Sequence, residues 1–279
     1  MKKLSIITNI DHNTSGHIFN VFCKSRGFYE KRRSWSSFFS SFRQNSFTPR
    51  GKLATDWLIA NGDFDKNKKV LEVACNMGTT AIQLAQQFEC QIVGIDLDED
   101  ALEKARKNIK ENHVEHLIQV QRANATKLPF DDESFDIVIN EAMLTMLPLE
   151  AKEKAIREYF RVLKPNGFLL THDIVIQDKD SDTLLAELRD AINITVSPLA
   201  KADWKSLFQR CGFRNVDTFS GEMSLLSPKG LIHDEGVLGA MKIIGNALKP
   251  ENRETFNKMY KLFNDPDKKL GFIAVCSQK

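Results

Sequence analysis

From Lys69 to the end of the chain, short runs rich in β-branched residues alternate with longer amphipathic ones. That alternation predicts a parallel sheet covered by crossover helices, because each strand must be followed by a connection long enough to return to the same edge. KVLEVA and QIVGID read as the first two strands. Between them Ala81, Ile82, Leu84, Ala85 and Phe88 fall at helical spacing within Thr79 to Phe88. Asp98 to Asn112 repeats the pattern with Ala101, Leu102, Ala105 and Ile109.

Leu117 to Arg122 and Phe135 to Asn140 read as the third and fourth strands, followed by a helix from Leu149 to Leu163. Lys164-Pro165-Asn166-Gly167 stops that helix, with glycine supplying a left-handed turn. Phe168 to Ile176 is then strand five, Ala202 to Cys211 a helix, Val216 to Phe219 strand six and Phe272 to Cys276 strand seven. The expected fold is α/β, a doubly wound, mostly parallel sheet of seven strands with helices on both faces. Residues 1–50 and about 227–267 do not share the alternation. They are expected to be an N-terminal helical extension and a helical insertion within a domain that runs over 51–279. Segments that long inside a compact domain usually serve function.

Charge and cysteine content exclude several classes. With 39 basic and 37 acidic residues the net charge is +2, which provides no strong field for nucleic acid. Cys23, Cys75, Cys90, Cys211 and Cys276 are odd in number and lack CxxC spacing, against both a disulfide framework and a zinc site. They read as reduced thiols, which places the protein in the cytoplasm. The opening MKKLSIITNI is cut short by Asp11, His12 and Asn13 before a signal-peptide core is complete, and no later stretch is long enough to span a bilayer.

The segment VLEVACNMGTTAIQLA combines a strand carrying Glu72, a tight turn ending in Gly78, and a helix opening at Thr79. Such a turn presents backbone N–H groups at the carboxyl edge of the sheet, where open α/β folds bind cofactors. Taken alone it is also simply a strand turning into a helix. It lacks the GxGxxG of a dinucleotide site. With its acid at Glu72, it resembles motif I of class I S-adenosylmethionine-dependent methyltransferases, a Rossmann-like family, and especially the ubiquinone and menaquinone methyltransferase type. Ala74 and Asn76 stand at the first two glycine positions of that motif, and Gly78 keeps the third.

Further matches follow in order. Asp96 ends the second strand in VGIDLDEDAL; the resemblance implies a ribose-binding acid, while a helix N-cap is the structural alternative, a role suited to Asp98. RANATKLPFDDESFDIVI resembles the family segment G-D-A-x-x-L-P-F. There Asn124 replaces the aspartate that accepts from the adenine amino group, Ala125 would offer a backbone N–H and Leu97 an apolar face to the ring. A polar loop before a strand is the alternative for Asn124. LKPNGFLLTHDIV and KADWKSLFQRCGF resemble later family segments, so the likeness spans Val70 to Phe213, about half of the chain.

Methyl transfer from a sulfonium is an in-line displacement, so a dedicated base is optional. The histidine that follows strand four in many small-molecule members is missing; Thr145 and Met146 stand in that neighbourhood. Asn140 is expected near the cofactor's methionine end. Glu141 ranks first as a group to orient or deprotonate an acceptor, Asp173 second and His172 third, the last two at the exit of strand five. Each is also readable as an ordinary structural or solvated side chain. His233, within the insertion, is more often structural than catalytic in such a place.

In the N-terminal segment Trp35, Phe38, Phe39 and Phe42 share a helical face beside Lys31, Arg32, Arg33 and Arg43. A lid over an acceptor pocket, a peripheral membrane contact and a partner site all fit this stripe. The resulting expectation is an S-adenosylmethionine-dependent enzyme methylating a small molecule, with no metal and no nucleic-acid partner. The alternative is a non-catalytic protein that keeps the fold to sense the cofactor or bind a partner.

Overall fold

The computed structural model describes residues 51–176, 185–187, 189, 196–222, 241, 244–245, 247–264 and 270–279. The readings made for residues 1–50, including the aromatic stripe, and for His233 lie outside them.

Strand β1 (Lys69–Val73) is buried from Val70 onward on both faces, as expected of a central parallel strand. Helix α2 (Thr79–Phe88) returns the chain to β2 (Gln91–Asp96), and α3 (Glu99–Glu111) returns it to β3 (Ile118–Arg122). The chain then crosses to the other side of β1 as β4 (Phe135–Glu141), passes through a 3₁₀ turn (Leu144–Met146) and α4 (Leu149–Val162), and enters β5 (Leu163–Ile176). Two-residue β6 (Leu199–Ala200), α5 (Lys201–Arg210), β7 (Arg214–Glu222), α6 (Pro250–Asn264) and β8 (Leu270–Gln278) complete the order. A further helix, α1 (Gly51–Asn61), precedes β1 and was not foreseen from the alternation.

The sheet order is β3-β2-β1-β4-β5-β8-β7, with β6 paired to β5. All pairings are parallel except those of β8, which runs antiparallel between β5 and β7. Seven of the strands are those expected; β6 is an addition. Strand order reverses between β1 and β4, so the carboxyl edge there is a topological switch point and the natural crevice of the fold.

Two apolar clusters lie on the opposite faces. One joins Leu58 of α1, Leu84 of α2 and Ile109 of α3 to Ile137 and Ile139 of β4. The other joins Tyr159 of α4 and Trp204 and Phe208 of α5 to Val138 and Leu169. Period-two alternation along β4 and β5 therefore sorts their side chains between the helix layers.

The stop after α4 works differently from expectation. The left-handed residue is Asn166 at φ 63°, a conformation asparagine tolerates. Gly167 is needed for space instead: a Cβ there would lie 2.8 Å from the Asp136 carbonyl oxygen and 2.9 Å from that of Lys164. Helix α6 falls in the expected insertion, whose remaining residues are mostly outside the described ones.

Candidate cofactor and acceptor site

The turn leaving β1 is built from three left-handed residues: Ala74 (φ 60°), Asn76 (φ 48°) and Gly78 (φ 74°). These are the three positions the resemblance assigns to glycine. The motif thus specifies backbone conformation as well as bulk, and the turn keeps that conformation with two Cβ atoms added. A Cβ on Gly78 would meet Ala105 of α3 at an ordinary 3.5 Å, so the positive φ rather than crowding favours glycine there.

Several bonds hold the turn. Cys75 N–H donates to the Ile95 carbonyl at 3.0 Å and Gly78 N–H to the Cys75 carbonyl at 2.8 Å. Asn108 of α3 donates its side-chain amide to the Met77 carbonyl at 3.0 Å. Asp96 accepts Asn76 N–H through Oδ2 and Asp98 N–H through Oδ1, both at 3.0 Å. A carboxylate offers about four acceptor positions, so Asp96 retains capacity for hydroxyl donors. Asp98 caps α3 by accepting Asp100 N–H, the role expected of it. Cys75 lies beneath the turn; burial pushes its thiol well up, and the Glu72 and Asp96 carboxylates add to the shift, so it stays protonated and unreactive.

Glu72 is buried within β1, and Leu97 is half-buried just past β2, with its carbonyl accepting from Arg122 Nε at 3.1 Å. Ala123 N–H donates to the Asp96 carbonyl at 3.1 Å, which brings Asn124 and Ala125 up to the same edge. Asn124 folds into a local turn: its Oδ1 accepts both Thr126 N–H at 2.9 Å and the Thr126 hydroxyl at 3.0 Å. A carbonyl oxygen has two lone pairs, so an adenine amino group would have to share this one.

Asn140 stands opposite Val73 in the β1-β4 register, directly beside the turn. It is fully buried and donates to Thr171 Oγ1 at 2.9 Å, while its Oδ1 accepts no hydrogen bond among the described residues. A buried acceptor without a donor costs free energy, and this one suits a ligand ammonium or hydroxyl at the switch point.

Glu141 and His172 are register partners across β4 and β5 and share the face that carries α1. Thr55 of α1 donates its hydroxyl to Glu141 Oε1 at 3.0 Å. His172 is fully buried and edge-on to Phe272, with ring centroids 6.0 Å apart. After Glu141 the chain turns on Ala142 (φ 50°), whose N–H donates to the His172 carbonyl at 2.7 Å.

Asp173 belongs elsewhere. Strand β5 runs to Ile176, so His172 and Asp173 lie inside it rather than at its exit, and pleating sends them to opposite faces. Asp173 is fully buried on the α4 side, accepting Thr145 N–H at 3.0 Å and Ile174 N–H at 2.8 Å. Burial raises its pKa despite those bonds and the positive charge of Lys152. Lys152 is equally buried and donates to the carbonyls of Leu147 at 2.5 Å and Ser197 at 2.6 Å. Burial lowers its pKa to about 8, against the pull of Asp173.

Three residues of this edge escaped sequence reasoning. Thr55 sits on an unforeseen helix, and Asn108 looks like any polar residue of a surface helix. Lys152 did carry a signal, because it stands at helical spacing from the buried Ala155, Ile156 and Tyr159. Among the described residues no group of histidine, cysteine or acidic side chains could hold a metal, and no helix is long and apolar enough to cross a membrane.

Comparison with known proteins agrees with this geometry. The family model described as a methyltransferase domain matches residues 70–167. An uncharacterized protein of Haemophilus influenzae is 67% identical over 87% of this chain and 97% of its own length. Methyltransferase GfsG of Streptomyces halstedii is 31% identical over 49% of this chain and 48% of that protein. The chain thus spans about half the length of that named relative. Phosphoethanolamine N-methyltransferase 2 of Haemonchus contortus, solved with S-adenosyl-L-methionine, superposes with a TM-score of 0.71 over 94% of this chain and 60% of that one. At 16% identity that likeness is one of fold. Residues 70–167 thus carry a methyltransferase domain, on the fold of the class I S-adenosylmethionine-dependent methyltransferases.

Proposed function

We propose that the protein transfers a methyl group from S-adenosylmethionine to a small-molecule acceptor at the carboxyl edge of β1, β2 and β4. The observation that carries this reading is the left-handed turn Ala74–Gly78 locked to Asp96 beside the Oδ1 of Asn140, which has no donor among the described residues. The cofactor, when bound, supplies an electrophilic methyl on a sulfonium. Asp96 would hold the ribose through its remaining acceptor positions, and Leu97 and the Ala125 N–H would bracket the adenine. The turn and Asn140 would receive the methionine end, with Glu72 buried beneath.

Glu141 would act on the acceptor. Its carboxyl group follows Asn140 at the end of β4 and is oriented by the hydroxyl of Thr55. It would align a donor group of the acceptor or take its proton, with His172 alongside. Asp173 acts at one remove, holding the Thr145 peptide rather than reaching the acceptor.

Isothermal calorimetry with S-adenosylmethionine tests the reading directly. Binding by the wild type, weakened by Asp96→Ala, is expected; no binding, or binding unchanged by the substitution, overturns it. Formation of S-adenosylhomocysteine with a metabolite extract separates an enzyme from a cofactor sensor.

A further inference from the structure

The loop between β4 and α4 borders the site, and one buried cation ties it down. Lys152 Nζ donates to the carbonyl of Leu147, in that loop, and to the carbonyl of Ser197, where the chain approaches β6. Ser197 N–H in turn donates to the Thr145 carbonyl at 2.8 Å, and Thr145 N–H donates to Asp173 Oδ2. The loop peptides at Thr145 and Leu147 are therefore fastened from three directions. Met143, Leu144 and Leu147 pack in the same cluster as Ala74 of the cofactor turn.

A lysine in this position is unfavourable for stability. It is fully buried, it lies in the first turn of α4 where the helix dipole disfavours a cation, and no carboxylate comes within ion-pair distance among the described residues. Two carbonyls and the more distant Asp173 compensate only in part. An apolar side chain would fill the same helical position without the cost of burying a charge, though it would leave the two carbonyls without this donor. A buried charge that costs stability suits a role in fixing one conformation.

We infer that Lys152 is a positioning residue for methyl transfer, setting the Ala142–Pro148 loop against the acceptor side of the bound cofactor. The inference rests on the methyltransferase reading above. The ammonium itself touches neither cofactor nor acceptor; it acts through the peptides of Leu147 and Ser197.

Lys152→Met keeps the length of the side chain and removes the charge. The variant is expected to melt at or above the wild-type temperature and to bind S-adenosylmethionine within about threefold of wild type. Its maximal rate of S-adenosylhomocysteine formation with a metabolite extract should fall at least tenfold, about 1.4 kcal/mol in the barrier. Lys152→Gln, which can still donate to one carbonyl, should recover part of that rate. A folded Lys152→Met protein with wild-type turnover overturns the inference, as does failure of both variants to fold, which would make the lysine structural. A wild type that binds no S-adenosylmethionine overturns the methyltransferase reading instead, so the two failures are distinguishable.

Discussion

The carboxylate of Asp96 accepts the backbone N–H of Asn76, joining the turn after β1 to the end of β2 across 3.0 Å. This bond makes one residue both a support of the turn and a candidate ribose ligand. Removing it acts on both.

Asp96→Ala leaves the N–H groups of Asn76 and Asp98 without their acceptor. Hydrogen bonds to charged groups contribute roughly 1.5–3 kcal/mol. Calorimetric affinity for S-adenosylmethionine is expected to fall by about tenfold to a hundredfold, with a stability loss of about 3 kcal/mol or more in urea melts from the two bonds together. Asp96→Asn should fall between.

Ala74 and Asn76 share a left-handed backbone but not its cost. Left-handed alanine is disfavoured by roughly 1–2 kcal/mol, while asparagine adopts this region more readily. Glycine loses some of the gain through its larger unfolded-state entropy. Ala74→Gly is therefore expected to stabilise by about 0.5–1 kcal/mol and Asn76→Gly to be near neutral, measured by denaturant midpoint.

Thr55→Ala removes the hydroxyl that holds Glu141. About 1 kcal/mol of stability should be lost, and turnover should fall by about tenfold with cofactor affinity unchanged. Thr55→Ser, which keeps the donor, should retain most of the rate; equal losses in both variants would assign the effect to packing.

The depressed pKa of Lys152 has a definite sign in stability. Its folded value of about 8 lies below the ordinary 10.5, so the unfolded chain binds more protons between those limits. The folded protein is penalised in full below about pH 8, and the penalty is relieved as pH rises towards 10.5, by up to about 3 kcal/mol. Cys75 and Tyr159, whose pKa values burial raises, act in the opposite sense but are common to both proteins. The stability advantage of Lys152→Met over wild type should therefore shrink between pH 8 and pH 10; a constant gap would show the lysine titrating normally.

The open α/β fold was legible because period-two and 3.6-residue patterns are local properties of the chain. Thr79–Phe88 and Gln91–Asp96 coincide with their expected bounds, and the other shared elements differ by a few residues at their ends. The turn after β1 was legible for a related reason: Ala74, Asn76, Gly78 and Asp96 belong to short contiguous segments whose backbone conformation is locally encoded. Less could be read where two distant segments meet. The pairing of Glu141 with His172, the hydroxyl of Thr55 on Glu141, and the partition of His172 and Asp173 to opposite faces depend on strand register and on which helix covers which face. The sequence by itself determined the strands, the crossovers and the turn that defines the family. Only the tertiary structure decided that Asp173 and Lys152 both lie buried beneath the loop after β4 and that Glu141 meets Thr55 of α1, because burial and partnership arise from packing between segments that the chain's local pattern does not specify.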